Sequence, residues 1–308
     1  MIAHQGPYTF VLPLVYKPED PHRFRLGVHI EGNPAVQVDF LHPDAVVRRW
    51  FNWDECQPYE NVHCWVDDGK MFWLKPYDTI LCVKNTPQWA RLEPDNLGSP
   101  PRREHFEDYA AILCDLADRY QPYALELFNE PEGPGADDKL ISNFGDGERA
   151  GEYYGDLVSA VYPIVKAQFP NVLIFAGSLH QDTSDDFLKG FLEHAGGCFD
   201  VLSIHGYVYS ASQFDTPLRM ANKMRCMVDK PIWLTETSLL YDIRTDDKDQ
   251  EQGEYLAYLL EHAQDYGIVG VSWYPLTSNN WRNSDMMWGS APKPAYNVWR
   301  AWLERRSI

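Results

Sequence analysis

The stretch Ala124-Leu125-Glu126-Leu127-Phe128-Asn129-Glu130-Pro131 is a short apolar run that passes straight into an acidic side chain, and Pro231-Ile232-Trp233-Leu234-Thr235-Glu236-Thr237 repeats the arrangement further along. Working outward from these two segments, runs of apolar or β-branched residues recur along the chain. Each is followed by a polar loop and then by a stretch of helical period, the pattern of repeated strand-helix units. Strands are expected near 24–28, 45–50, 79–83, 124–128, 172–176, 201–205, 232–234 and 269–273. Helices are expected over 104–120, 153–169, 185–195, 218–227, 251–266 and 296–306, with the first two helices less distinct. Eight such units without a break in composition predict an α/β fold, a closed (β/α)8 TIM barrel, in a single domain over residues 1–308. In that frame Asn129 and Glu130 end the fourth strand, His205 the sixth, Glu236 the seventh and Trp273 the eighth. These are carboxyl ends, the face on which barrels of this kind carry their chemistry.

Composition narrows the function class. The chain has 44% apolar and 14% aromatic residues, which suits a large buried core, and most of its eleven Trp are expected there, the remainder lining a cleft. Its formal net charge is −18, and no lysine or arginine cluster is long enough to follow a phosphate backbone, so the electrostatic footprint of a nucleic-acid binder is missing and no nucleic acid is expected as a partner. There is no long apolar run that would cross a membrane. The first sixteen residues show no basic start, apolar stretch and small-residue cleavage site, so the chain as written reads as cytoplasmic, or as secreted where a signal has been removed. Cys56, Cys64, Cys82, Cys114, Cys198 and Cys226 lack the short paired spacings of a zinc site and are read as reduced and mostly buried. No metal and no cofactor is called for, and nothing indicates an oligomeric state.

Two glutamates at strand ends can divide one reaction between them. A half-buried carboxylic acid keeps its proton for a leaving group, while an ionised partner attacks. On this reading Glu130 is the acid/base, held at the strand tip because a residue before proline is kept away from right-handed helical angles. Glu236 is the nucleophile, which must be kept ionised by a nearby cation and a hydrogen-bond donor. Neighbouring acids have plainer readings: Glu126 alternates with Phe128 across its strand, Glu55 is a loop carboxylate, and Glu132 either bounds a leaving-group subsite or forms a salt bridge on its loop. Two long loops, 132–150 and 276–294, are rich in Gly, Asn, Asp and Trp and suit a hydrogen-bonding groove.

With these residues in place the chain resembles the large clan of retaining (β/α)8 glycosidases, in which an Asn-Glu pair ends the fourth strand and the nucleophilic Glu ends the seventh. Val47-Arg48 followed by Trp53, Glu55 and Pro58 is similar to that clan's second strand, with Arg48 in the place of its active-site arginine. Asn85-Thr86-Pro87-Gln88-Trp89-Ala90 resembles the Thr-Pro-x-Trp-Ala run of family 39, and His205-Gly206-Tyr207 resembles the His-x-Tyr of families 5 and 39. The resemblance implies one glycosidase catalytic domain, a retaining β-glycoside hydrolase acting on neutral β-linked oligo- or polysaccharides of the xylosidase, glucosidase or endo-glucanase, xylanase and mannanase types. It implies that Asn129 bonds the 2-hydroxyl, that Tyr207 contacts the nucleophile and that Trp273 lies beneath the sugar. His205 is expected to poise the carboxylates, and Trp89, Trp281 and Trp288 are expected stacking platforms. Family 39 xylosidases usually carry an added β-sandwich domain, for which this sequence holds no counterpart. The alternative function is a barrel that binds carbohydrate with weak catalysis. A phosphate-handling barrel enzyme would call for a glycine-rich phosphate site and often a strand-end lysine, and neither is evident.

Overall fold

The eight expected strands are all present in the computed structural model, which describes residues 24–133, 144–277 and 283–306. They are β1 (Arg25–His29), β2 (Val46–Asn52), β3 (Asp78–Lys84), β4 (Ala124–Leu127), β5 (Leu173–Leu179), β6 (Val201–Val208), β7 (Ile232–Leu239) and β8 (Ile268–Trp273). Each pairs in parallel with its sequence neighbours, and β1 closes on β8 to complete the barrel. The helices are α1 (Trp53–Cys56), α2 (Asp68–Leu74), α3 (Phe106–Tyr120), α4 (Glu148–Gln168), α5 (Asp185–Ala195), α6 (Thr216–Arg225), α7 (Asp246–His262) and α8 (Pro294–Arg306). The weak helical signal near the start has a physical counterpart. β1 is followed only by two 3-10 turns, Pro34–Val36 and Val38–Phe40, and β2 by the one-turn α1 and the short α2.

Strand residues alternate between two apolar cores. Val46, Ile80, Ala124, Phe175, Val201, Trp233 and Val269 form one cluster, a plug inside the barrel at its amino-terminal end. Val47, Leu81, Leu125, Ile174, Leu202, Leu234 and Val271 belong to the larger cluster shared with the helices. Each such fully buried side chain stabilises the fold by about 1.5–3 kcal/mol, so both faces of every strand contribute. Room for the large Trp233 ring is made by Gly270, where an added Cβ would lie 2.3 Å from the indole. Above the plug the inward positions turn polar, and the same period-2 alternation that builds the core points Arg48, Glu126, Ser203 and His205 into the barrel mouth.

That alternation is broken in places, and the breaks matter for the site. Phe128 lies in the left-handed region at φ 64°, which turns its ring outward to stack on Tyr109 at 4.7 Å and frees Asn129 to face inward. The β6–β7 and β7–β8 registers shift at Ile204/His205 and between Leu234 and Thr237. With the shift, Trp233 and Glu236, three positions apart, both face inward, as a bulge allows. The cysteines are free thiols, but only Cys56, Cys82 and Cys114 are buried, fewer than expected, because Cys64, Cys198 and Cys226 fall in loops and at a helix end. Among the described residues no helix is long and apolar enough to cross a membrane.

Candidate active site

Glu130 sits one turn beyond β4 on a tightly determined backbone. Its φ is +46°, its N–H donates to the Ser178 carbonyl at 3.1 Å, and the Phe128 N–H donates to the Val83 carbonyl at 3.1 Å. Ser178, on the next strand, is itself left-handed at φ 48°. Each such non-glycine residue costs about 1–3 kcal/mol, and a cluster of them persists only where the surrounding structure fixes it. The Glu130 Oε1 lies 2.7 Å from His205 Nδ1.

Glu236 is buried and held from three sides. Arg48 Nη1 and the Tyr207 hydroxyl donate to its two oxygens, and His205 Nε2 lies 3.7 Å from Oε1. Burial alone would raise its pKa. The charges of His205 and Arg48 and the Tyr207 hydrogen bond outweigh burial and bring it down to about 2, so the carboxylate is ionised at working pH. The two glutamates therefore flank one imidazole, Glu130 hydrogen-bonded at Nδ1 and Glu236 in ionic reach of Nε2, whose hydrogen-bond partner is the Ser178 hydroxyl at 2.9 Å. Burial opposes a charge on His205, but Glu236 and Glu130 prevail and raise its pKa.

Arg48 joins these groups to the scaffold. It is fully buried, and its Nε donates to Glu126 Oε2 at 2.6 Å, Nη1 to His29 Nδ1 at 3.1 Å and Nη2 to Asn129 Oδ1 at 3.0 Å. Burial works against its charge, yet Glu126 and Glu236 hold its pKa well above the ordinary range. Accepting from Arg48 leaves His29 protonated at Nε2, and burial together with the Arg48 charge keeps it neutral. Arg48→Met is expected to destabilise the fold by about 3–5 kcal/mol, because Glu126 and Glu236 would remain as buried anions. Urea denaturation followed by tryptophan fluorescence measures this, and an unchanged midpoint would refute it.

These groups open onto a cavity of about 680 Å³ at the carboxyl ends of the strands, lined by Asn129, Glu130, Tyr207 and Glu236. Residues 104–295, more than half of the chain, match the model of the family described as glycosyl hydrolase catalytic core. The chain belongs to that family. Among solved structures, this glycosyl hydrolase core is similar to a family 39 glycoside hydrolase from the gut symbiont Bacteroides cellulosilyticus WH2, with a TM-score of 0.65 at 17% identity, over 92% of this chain and 64% of that one. A family 39 β-xylosidase from Caulobacter crescentus aligns with a TM-score of 0.63 at 16% identity, over 91% and 70% of the two chains. A psychrophilic family 10 endo-β-1,4-xylanase aligns with a TM-score of 0.66 at 15% identity, over 90% and 96%. At these identities the likeness is one of fold, and the chain spans under two thirds of the first of these proteins. No curated protein matches the sequence.

The expected residues of this glycosyl hydrolase core fall into two groups. Arg48, Asn129, Glu130, His205, Tyr207 and Glu236 come together in one group of polar contacts. Trp273, expected beneath a sugar, does not line the cavity. It is fully buried among the helices, its indole N–H donating to the Ser284 carbonyl at 2.8 Å, and the neighbouring Tyr274 takes the place in the cavity. Trp89 braces a loop, donating to the Gln57 carbonyl at 3.1 Å and meeting Trp53 edge-on at 5.9 Å, and it does not line the cavity. Trp288 is exposed on a short hairpin, with the Arg244 guanidinium 4.3 Å from its ring centre, outside the cavity. Trp281 lies outside the described residues.

The sequence reading also passed over several residues of the site. Glu126 is the buried partner of Arg48, and Glu31, Trp50 and Lys84 line the cavity. Lys84 ends β3, so a strand-end lysine is present after all. Glu132 forms no salt bridge among the described residues. It accepts from the His180 N–H and the Thr183 hydroxyl, and burial pushes its pKa up to about 8.

Proposed function

We propose that the chain is a retaining β-glycoside hydrolase acting on neutral oligo- or polysaccharides. The observation that carries this reading is the environment of Glu236: a buried carboxylate held ionised by Arg48, His205 and Tyr207, with Glu130 on the same imidazole. In the first step Glu236 attacks the anomeric carbon, the glycosidic C–O bond breaks, and the leaving oxygen takes the proton of Glu130. In the second, Glu130 removes a proton from water as its oxygen attacks the anomeric carbon and the bond to Glu236 breaks. Asn129, its Oδ1 fixed by Arg48, is placed to bond the 2-hydroxyl, an interaction that strengthens in the oxocarbenium-like transition state. Arg48 and Tyr207 hold the nucleophile's oxygens and give back charge as it bonds to the sugar.

The xylosidase and xylanase activities named for proteins of similar fold support sugars of that class. The test is stereochemical. Proton NMR of the first-formed product, taken before mutarotation, is expected to show a β-hemiacetal from a β-glycoside. An initial α-product would mean single displacement by water and would remove Glu236 from the role of nucleophile.

A further inference from the structure

The bond-breaking pair leaves unused a group of polar side chains in the same cavity. Glu31 follows β1, Trp50 lies on β2, Lys84 ends β3 and Tyr274 follows β8, and all four line the cavity with Glu236. Lys84 is only 3% exposed, and its Nζ lies 4.3 Å from the centre of the Trp50 ring. The Tyr274 hydroxyl donates to Glu31, and the Trp50 and Tyr274 rings lie 5.9 Å apart, both against His29. Burial raises the Glu31 pKa, while the charge of Lys84 acts in the opposite sense on the same carboxyl. Desolvating an ammonium is costly, and a hydrophobic side chain would fill the end of β3 without that cost. A cation kept there, on an aromatic face and within electrostatic reach of a carboxyl, matches a ligand that offers both acceptors and donors.

The side of the cavity decides which part of the ligand. Glu130 lines the cavity together with His180, whose N–H is held by Glu132, on the β4–β5 side, and as the acid it would protonate the leaving group from that side. The cavity wall left for the sugar that becomes bonded to Glu236 is then the one formed by Glu31, Trp50, Lys84 and Tyr274, from β1, β2, β3 and the end of β8. The geometry points to Lys84 and Glu31 as a donor–acceptor pair that reads two adjacent hydroxyls of this sugar, Lys84 donating to one oxygen and Glu31 accepting from the other. With the 2-hydroxyl assigned to Asn129, the pair reads the 3- and 4-hydroxyls. This assignment rests on the glycosidase reading.

The test compares wild type, Lys84→Met and Glu31→Gln on an aryl β-glycoside that the wild type accepts, chosen from the glucoside, xyloside and mannoside, and on its 3-deoxy and 4-deoxy analogues. Wild type is expected to favour the parent by about 100-fold in kcat/KM over at least one analogue, the discrimination of a charged hydrogen bond to a hydroxyl. In each variant the parent is expected to fall by about that factor while the sensitive analogue changes little, so that the ratio collapses toward one. Glu31, at the cavity edge, provides the second variant should Lys84→Met fold poorly. Equal losses on parent and analogues would reveal a structural role and overturn the assignment, as would an unchanged ratio in both variants. If the wild type cleaves neither these glycosides nor a panel of neutral β-linked oligo- and polysaccharides, the glycosidase reading itself fails.

Discussion

Glu236→Gln is expected to lower turnover by about 10⁴–10⁶, the scale on which removal of a covalent nucleophile acts. The amide can still accept the Tyr207 hydrogen bond, and Arg48 keeps the Glu126 carboxylate as its counter-charge, so the fold and the sugar subsite survive. What is lost is the electron pair that attacks the anomeric carbon. The loss corresponds to about 5.5–8 kcal/mol of barrier. It is measured as kcat on an activated aryl glycoside alongside circular dichroism and binding of a product sugar. A folded, sugar-binding variant that turns over within tenfold of wild type would eliminate Glu236 as nucleophile.

For Glu130→Ala the expected result is a split between substrates. A natural glycoside needs a proton on its departing oxygen, and general acid catalysis contributes about 10²–10⁴. A dinitrophenyl glycoside leaves without one, so its first step is spared, and the glycosyl-enzyme accumulates because no base remains to activate water. The prediction is a burst of dinitrophenolate followed by slow turnover, with natural substrates lowered by about 10³ in kcat/KM. Stopped-flow absorbance and mass spectrometry of the intact protein detect the burst and the adduct. Uniform losses for both substrate types, with no burst, would exclude Glu130 as the acid.

How much of this was legible in the sequence follows from the periods involved. Helical and strand periods run over many residues, and the barrel order emerged from their repetition. The glutamates were found because each breaks an apolar run. The residues that were missed are those whose place depends on parity within a strand. Trp50 is two positions beyond Arg48, and Lys84 two beyond Cys82. Tyr274 is two beyond Ser272, which is why the cavity takes Tyr274 and the helices take Trp273. Glu126 follows the same count from Ala124. Taking the last apolar residue as the strand end set the parity aside, and a strict alternation from the inward plug would have recovered Trp50, Lys84 and Glu126, whereas Tyr274 is out of step with Val269 because the β7–β8 pairing also shifts at Ile232/Trp233. Glu236 would still have escaped such a count, because the register shift between Leu234 and Thr237 is a matter of pairing with β8 and has no mark in the local sequence.

The position of Arg48 between Glu126 and Glu236 bears on how sequences of other barrels of this type are to be read. Loss of Glu236 leaves a neutral Arg48–Glu126 pair, whereas loss of Arg48 strands two buried anions. Mutational drift in a lineage released from catalysis would therefore erase position 236 early and retain position 48 long afterwards. An arginine at that point of the second strand marks an intact barrel mouth. A carboxylate at position 236 marks a working one.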